Sequence, residues 1–205
     1  TDNECLSSCG SLGVSLLQLR RLYVNCLTMA VLATIRNFFS APLAAEPEVI
    51  VPAPPTTYSI HPLTIDKLQE VLRLNIRCFR NGDNYTKHTF DYLLNEPRTI
   101  SYRISSASGE MVAFAFVMES ENGSAHLTTI GVAPEHRRRG LAERLLRHIE
   151  SAVRARKLGT IMLEVRVGND GAQELYRRNG YSIVQRVNKY YTNGVDCYLM
   201  MKGLV

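Results

Sequence analysis

The chain has no tryptophan, few aromatic residues of any kind and no hydrophobic run long enough to cross a bilayer. Only 8% of its 205 residues are aromatic. The apolar run of the first part, Cys26–Ile35, has ten residues, whereas a membrane-spanning helix needs about 20. The remaining composition, 45% hydrophobic and 21% charged, is that of a globular protein and excludes collagen, a disulfide miniprotein and an intrinsically disordered chain.

Cysteine is also sparse. The five cysteines are an odd number at scattered positions, which argues against a disulfide framework. Cys5 and Cys9 are spaced C-x₃-C, but no His or Cys pair follows at the spacing of a zinc site. We therefore predict no metal site, and reduced, unpaired thiols in a cytosol-like compartment.

Charged residues of both signs are sparse in the first part of the chain. Residues 1–55 carry three arginines against four acids, whereas the remaining 150 residues carry 21 Lys and Arg against 15 Asp and Glu. This basic excess favours an anionic partner for the second part. By itself it leaves nucleic acid, a membrane surface and a phosphorylated cofactor open.

These differences divide the chain into residues 1–57 and a domain over residues 58–205. No acid occurs from Cys5 to Ala45. We leave open whether this segment is a targeting signal, a disordered extension or sequence that precedes a natural start at Met29. Glu46–Thr57 holds four prolines and is predicted to be an extended linker.

The domain alternates strand and helix patterns in the order β-α-α-β-β-β-α-β-α-β-β, which predicts a mixed α/β sheet. The first helix is predicted from Thr64, and the second over Thr89–Leu94. The third, Leu141–Arg156, has apolar residues at strict i+4 spacing. The buried face predicted for the first helix consists of Leu68, Val71, Leu72 and Ile76.

The most informative local pattern lies where a strand ends at Val132, three arginines follow, and a helix begins at Gly140. The first N–H groups of a helix have no intrahelical partner and lie at the positive end of its dipole. Gly140 and Ala142 are small enough to let an anion reach them, which predicts a pyrophosphate site. The alternative is an arginine run that caps a surface helix. Neither a Walker A loop nor a G-x-G-x-x-G fingerprint is present.

Arg137-x-x-Gly140-x-Ala142 resembles the R/Q-x-x-G-x-G/A motif of the GNAT family of N-acetyltransferases. The resemblance implies a mostly antiparallel sheet of about seven strands, with helices on both faces and a splayed central strand pair. It implies acetyl-CoA as co-substrate. The residues that it assigns to the coenzyme are Ile130, Gly131, Val132, Arg137, Arg138, Arg139, Gly140, Leu141, Ala142 and Glu143.

Glu164 and Tyr176 are the first catalytic candidates. Glu164 lies inside an apolar strand, where burial would raise the pKa of a carboxylate and make it a better base. The alternatives are an outward-facing strand residue and, for Tyr176, a plain core tyrosine. The stretch is similar to that of ribosomal-protein alanine N-acetyltransferases. This resemblance implies Glu164 as base, Tyr176 as acid and Asn169 as a coenzyme contact, although Asn169 is equally suited to cap the next helix.

His126 is the second candidate base. It begins a strand that resembles the strand of eukaryotic N-terminal acetyltransferase catalytic subunits, where a His or Tyr contributes to base chemistry. A neutral imidazole near pH 7 is suited to that task. The alternative is a solvent-facing His at a strand end.

The substrate class is indicated by Tyr190 and Tyr191, which precede an Asn193-Gly194 turn. The pattern is similar to the hairpin of protein N-terminal acetyltransferases, where such tyrosines close over the peptide. By the same resemblance, Phe79 and Tyr85 form the opposite wall. The loop Arg80–Asn84 departs from the better-known members.

The expected function is transfer of acetyl from acetyl-CoA to a protein or peptide N-terminus, of the ribosomal-protein-alanine type. A GNAT enzyme acting on a polyamine, an amino sugar or Lys is the first alternative, and a non-catalytic acyl-CoA-binding module is the second. Nucleic acid is not expected as a partner, because the arginines lack interleaved aromatics. We expect a monomer or weak dimer in the cytoplasm, or in an organelle if residues 1–45 are a transit segment.

Overall fold

The structure, a computed structural model, describes residues 50–79 and 84–204. The segment predicted as a targeting signal or extension, residues 1–45, lies outside these ranges, as does most of the loop Arg80–Asn84. Strand β1 (Tyr58–Pro62) begins at Tyr58, where the sequence places the start of the domain.

The elements of the described residues follow the predicted order. After β1 the strands are β2 (Thr99–Ser106), β3 (Met111–Glu119), β4 (Ser124–Val132), β5 (Thr160–Arg166), β6 (Ser182–Val187) and β7 (Cys197–Gly203). The helices are α1 (Leu68–Cys78), α2 (Lys87–Asn95), α3 (Leu141–Ala155) and α4 (Asp170–Arg178). Two 3₁₀ turns, Ile65–Lys67 and Pro134–His136, precede α1 and α3.

The strands form one seven-stranded sheet in the order β1-β2-β3-β4-β5-β7-β6. Neighbouring strands are antiparallel except β4 and β5, which run parallel. A crossover through α3 joins this parallel pair, as parallel neighbours require. The prediction of a mixed, mostly antiparallel α/β sheet is confirmed.

The core is built around β3, whose first eight residues are all buried. Successive side chains of a strand point to opposite faces. Phe114 and Phe116 contact Phe90 of α2, with ring centroids 5.9 and 5.2 Å away. Ala113 and Ala115 lie on the other face, and α3 packs on β2, β3 and β4. A strand buried on both faces needs helices on both faces of its sheet.

The predicted buried face of α1 is partly wrong. Val71, Leu74 and Asn75 are buried, whereas Ile76 is 59% exposed. The first three positions are spaced i, i+3 and i+4 and share one face of the helix, and Ile76 lies about 100° farther round. Helix α1 packs on β3 and β4, and the side of the helix that faces the sheet carries Val71, Leu74 and Asn75 rather than Ile76.

Helix α2 begins earlier than predicted, at Lys87 rather than Thr89. Thr86 precedes it in an extended conformation, and its Oγ1 accepts a hydrogen bond from the N–H of Thr89 at 3.3 Å. A threonine in this role satisfies one of the free N–H groups of a helix start. The cap therefore moves the boundary by two residues.

None of the helices in the described ranges is long and apolar enough to cross a bilayer. Of the two cysteines that the structure describes, Cys78 is half-buried and Cys197 is buried. Within the same ranges, no three His, Cys, Asp or Glu side chains are grouped to hold a metal ion.

Candidate active site

A gap between β4 and β5 frames the candidate site. Their parallel pairing covers only Ser124–His126 and Thr160–Met162, although β4 continues to Val132 and β5 to Arg166. Beyond His126, the edge of β4 that faces β5 has no strand partner in the described part of the chain. The other edge stays paired with β3. These strands are the predicted splayed pair.

His126 and Glu164 meet at the closed end of the gap. Nε2 of His126 lies 2.7 Å from Oε2 of Glu164, and the two side chains are 10% and 12% exposed. The strand register explains the contact, because His126 pairs with Met162 and Glu164 lies two residues further along β5. The two bases predicted separately therefore form one buried pair.

Burial and the carboxylate act on the pKa of His126 in opposite directions. Desolvation by burial lowers it, but the charge and hydrogen bond of Glu164 raise it, and the net result is a pKa above the ordinary value. Nδ1 is buried and has no hydrogen-bond partner among the described residues. When an ionised Glu164 accepts the Nε2–H, the tautomer leaves the Nδ1 lone pair available. Nδ1 is then the proton acceptor of the ring.

Two tyrosines stand beside this pair. The Tyr85 hydroxyl donates to the carbonyl of Thr128 at 3.0 Å, on the part of β4 that borders the gap. Burial, and then the nearby charge of Glu164, raises the pKa of Tyr190, so its phenol is protonated at neutral pH. The structure therefore brings His126, Glu164, Tyr85 and Tyr190 together.

The connection between β6 and β7 positions Tyr191. Its ring lies edge-on to that of Tyr190, with centroids 5.1 Å apart. The Arg166 guanidinium lies 3.8 Å from the Tyr191 ring centre, a cation–π contact, and donates to Oδ1 of Asn193 at 3.3 Å. Gly194 has φ +77°, a left-handed conformation that favours glycine. The end of β5 thus holds this connection in place.

Tyr176 lies in α4 and is 6% exposed. The contact that the structure shows for its ring is with Tyr181, at a centroid distance of 5.7 Å, rather than with the His126–Glu164 pair. Burial raises the pKa of Tyr176. The phenol therefore keeps its proton at neutral pH, as a proton donor must.

The start of α3 is open to an incoming group. Gly140 has φ +75°, and a Cβ added there would meet nothing within 4 Å. The free N–H groups of this helix start and the positive end of its dipole suit a pyrophosphate. Of the following residues, Leu141 is buried, Ala142 is half-buried, and Glu143 forms an ion pair with Arg147.

The three arginines before Gly140 differ from one another. Arg137 donates to the carbonyls of Val132 at 3.2 Å and Cys78 at 3.1 Å. Arg138 is exposed, has φ +62° and makes no side-chain hydrogen bond to a described residue. Arg139 donates to three acceptors nearer the N-terminus, the carbonyls of Ala53 and Pro54 and the hydroxyl of Tyr58.

The other predicted residues are spread along the gap and its ends. Asn169 caps α4, because its Oδ1 accepts from the N–H of Ala172 at 3.2 Å; its contact with the coenzyme stays a prediction. Ile130–Val132 pairs with β3 on one edge and borders the gap on the other. Phe79 packs edge-on against Phe114, with centroids 6.5 Å apart.

Two residues that the sequence did not single out hold Tyr85. Asn75 is completely buried, and its Nδ2 donates to the Tyr85 carbonyl at 3.1 Å. Thr128 supplies the carbonyl that binds the Tyr85 hydroxyl, at a point where the register of β3 and β4 shifts. In the sequence, the single amide beside the apolar positions of α1 could have indicated that Asn75 has a special role. No sequence pattern indicated the bulge at Thr128.

Comparison with known proteins agrees with this geometry. Residues 68–181 match the model of the acetyltransferase (GNAT) family. N-alpha-acetyltransferase daf-31 of Caenorhabditis elegans is 31% identical over 147 residues, which cover 68% of this chain and 79% of that protein. N-alpha-acetyltransferase RimI of Mycobacterium tuberculosis is 30% identical over 155 residues, which cover 71% of this chain and 96% of that protein.

Solved structures share the fold. The ribosomal-protein-S18-alanine N-acetyltransferase from Escherichia coli is 26% identical with a TM-score of 0.66, covering 72% of this chain and 94% of that one. Arabidopsis thaliana NAA60 in complex with acetyl-CoA is 19% identical with a TM-score of 0.65, and the match covers 72% of this chain and 98% of that one. The chain therefore belongs to the GNAT family of acetyltransferases. It is an N-acyltransferase whose co-substrate is acetyl-CoA, as the sequence predicts.

Proposed function

We propose that this acetyltransferase acts on the α-amine of a protein or peptide N-terminus, and that it is of the ribosomal-protein-alanine type. The observation that carries the proposal is the buried His126–Glu164 pair with Tyr85 and Tyr190 beside it. The names of daf-31 and RimI support acetylation of an α-amine. The name of the E. coli structure supports the alanine type.

The proposed coenzyme contacts lie on the gap and on the start of α3. Acetyl-CoA supplies the thioester carbonyl that a neutral amine attacks. The backbone at Gly140–Ala142 and the Arg138 side chain would hold its pyrophosphate. The free edge of Ile130–Val132 would hold its pantetheine arm, beside Asn169.

The His126–Glu164 pair has the chemistry to remove the proton of the attacking amine. An α-amine titrates near 7.7–8.0, so a fraction of it is neutral at pH 7. The His126 imidazole accepts the proton that the nitrogen loses, and the Glu164 carboxylate stabilises the resulting imidazolium. The pair then changes from one negative charge to none. Tyr176, protonated at neutral pH, is the proposed proton donor on the opposite side of the reaction.

The two alternatives fit the site less well. A polyamine site would be lined with carboxylates, whereas Glu164 is bonded to His126 and the neighbouring side chains are tyrosines. Phenol rings with hydroxyl groups suit a peptide backbone. A non-catalytic acyl-CoA-binding module would gain nothing from a buried His–Glu pair, whose desolvation costs free energy.

The test is thiol release from acetyl-CoA with peptides that differ only in residue one, followed by mass spectrometry of the products. We expect acetylation of the free N-terminus, fastest with Ala first. We expect none of an N-terminally blocked peptide containing Lys, and none of spermidine. His126→Gln, Glu164→Gln and Tyr176→Phe should lose activity, whereas the exposed, remote Tyr92→Phe should not. Acetylation of spermidine or Lys without any N-terminal product would refute the proposal.

A further inference from the structure

The segment Ala53–Tyr58, here called the strap, lies against the loop that leads into α3. Before Tyr58 it contains no helix or strand, yet hydrogen bonds attach it to the domain. The N–H of Ala53 donates to the carbonyl of Glu135 at 2.9 Å. The Oγ1 of Thr56 accepts from the N–H of Ala107 at 3.4 Å.

Arg139 is the centre of this contact. Its guanidinium donates to the carbonyl of Ala53, to that of Pro54 at 3.0 Å and to the Tyr58 hydroxyl at 2.7 Å. A planar guanidinium presents its donors in a fixed fork, so one side chain orients three acceptors at once. Arg144 adds a hydrogen bond to the carbonyl of Tyr58 at 3.0 Å.

Tyr58 extends the contact to the other end of the same loop. Its hydroxyl accepts from Arg139, so its own proton is directed to Nδ1 of His136, 2.9 Å away. His136 is 4% exposed, and its ring lies edge-on to Tyr58 with centroids 5.8 Å apart. The strap is therefore bonded to Glu135 and His136 at the beginning of the loop and to Arg139 at its end.

Arg139 lies between two residues with left-handed backbone, Arg138 with φ +62° and Gly140 with φ +75°. Such a conformation is unfavourable in a residue with a side chain, as at Arg138, and persists only where the surroundings hold it. These two residues set the direction of the N–H groups at the start of α3. The bonds between Arg139 and the strap supply the surroundings that this conformation needs.

We infer that the strap positions the coenzyme loop, Glu135–Gly140, with Arg139 and Tyr58 as its positioning residues. The inference rests on the proposed placement of acetyl-CoA at the start of α3. N–H groups that already converge bind an anion without a further ordering cost. Arg139 thus contributes to coenzyme affinity through the conformation of the loop, because its guanidinium is bonded to Ala53, Pro54 and Tyr58 of the strap.

The test compares acetyl-CoA dissociation constants, measured by calorimetry on the full chain well below each variant's melting temperature. Ala53→Pro removes the N–H that binds Glu135, and Tyr58→Phe removes the hydroxyl that joins Arg139 to His136. We expect each to weaken acetyl-CoA binding about threefold and Arg139→Gln to weaken it about tenfold. The matched control is Val51→Pro, at a position that is 73% exposed and should bind acetyl-CoA as the wild type does.

Three further readouts separate positioning from a purely structural effect. The kcat at saturating acetyl-CoA and the peptide KM should stay unchanged in Ala53→Pro and Tyr58→Phe. The double variant Arg139→Gln/Ala53→Pro should weaken acetyl-CoA binding by less than the product of the two single effects, because both changes release the same strap through different hydrogen bonds. A lower melting temperature with an unchanged dissociation constant in all strap variants would overturn the inference.

Arg138→Asn distinguishes failure of this inference from failure of the proposed function. Asn tolerates the left-handed backbone but removes the charge proposed to face the pyrophosphate. If it weakens acetyl-CoA binding while Ala53→Pro and Tyr58→Phe bind normally, the strap inference is wrong and the coenzyme site stands. If Arg138→Asn and Arg139→Gln both bind normally, the placement of the coenzyme and the strap inference both fail, and the proposed reaction is judged by the peptide assay alone.

Discussion

At the scale of single residues, the reactivity of the site depends on how His126 and Glu164 share a proton. Interacting groups titrate as a pair, so an apparent pKa belongs to both. Attraction by Glu164 outweighs the burial that lowers the pKa of His126. The basicity of the imidazole is thus a property of its neighbour as much as of the ring.

Glu164→Gln should move the rising limb of the pH–rate profile to lower pH. The change removes the attraction that raises the pKa of His126 and leaves burial, which lowers it. The plateau of kcat/KM should fall about 100-fold, because a weaker base takes the proton. pH–rate profiles from pH 5 to 9, measured with one peptide that begins with Ala, give both the position of the rising limb and the height of the plateau. Deprotonation of the peptide α-amine affects the profiles of the wild type and of Glu164→Gln equally. A limb that stays in place would show that the two side chains do not titrate together.

Asn75→Leu should raise the peptide KM about tenfold and leave the acetyl-CoA KM unchanged. The substitution keeps the buried volume but takes the donor from the Tyr85 carbonyl, a loss of about 1–3 kcal/mol. Tyr85→Phe, which loses the bond to Thr128, should act in the same direction. In the double variant, the loss of peptide binding free energy should be smaller than the sum of the two single losses, because both hydrogen bonds hold Tyr85. Steady-state kinetics with each substrate varied provide the measurement, and a peptide KM that stays at the wild-type value would refute the positioning of Tyr85 by Asn75.

At the scale of elements, the site exists because β4 turns away from β5 while it remains bonded to β3. The opening therefore depends on packing behind β4 as well as on the missing strand partner. Gly131 lies at this point: a Cβ there would lie 2.8 Å from Cε1 of Phe114 and 3.1 Å from Sγ of Cys78. Phe114 and Cys78 pack so closely against β4 that only a glycine fits at position 131.

Gly131→Ala should destabilise the fold by about 1–3 kcal/mol, the usual cost of overpacking a core. Phe114 is completely buried, so its ring has no free space into which to move. Urea unfolding measures the change, with Gly159→Ala as the control because a Cβ there meets nothing within 4 Å. Adding Phe114→Leu should restore part of the loss. Equal stability of the two alanine variants would contradict this packing.

At the scale of the whole molecule, a buried ion pair joins α3 to the far part of the sheet. Nζ of Lys202, in β7, lies 2.6 Å from Oε2 of Glu150 in α3, and Glu150 is 3% exposed. Arg154 lies 3.9 Å from the same oxygen, and the Lys202 ammonium lies 5.6 Å from the Tyr181 ring centre. The ion pair thereby fixes α3, which begins at the proposed coenzyme site, to β7, the strand that follows Tyr190 and Tyr191.

Lys202→Met should destabilise the protein by about 3 kcal/mol, because it leaves Glu150 buried with only the more distant Arg154 as a counter-charge. The double variant Glu150→Leu/Lys202→Met should recover most of that loss, since no buried charge then remains. Thermal and urea unfolding of the single and double variants provide the comparison. A double variant less stable than Lys202→Met would mean that the pair itself, rather than the orphaned charge, carries the stability.

The sequence by itself determined the order of the elements and most of their bounds. These predictions rest on local patterns: alternating apolar residues in the strands, the i+4 spacing in α3 and the glycine at its start. Such patterns can be recognised in the sequence without knowledge of the fold. The boundary at Lys87 differed because Thr86 caps the helix, and the burial of Ile76 differed because another side of α1 faces the sheet. The motif at Arg137–Ala142 and the stretch around Glu164 indicated the family by resemblance.

Only the tertiary structure decided how distant residues combine. His126 and Glu164 are 38 positions apart, and their hydrogen bond depends on the register of a parallel strand pair joined by a crossover. Arg139 and Ala53 are 86 positions apart, and nothing near either residue indicates that they meet. A local pattern reflects the few residues around it, whereas register, bulges and crossovers arise from the packing of the whole chain. The sequence therefore predicted which residues are candidates for the site. It did not predict that His126 and Glu164 form one hydrogen-bonded pair, or that Arg139 binds the strap.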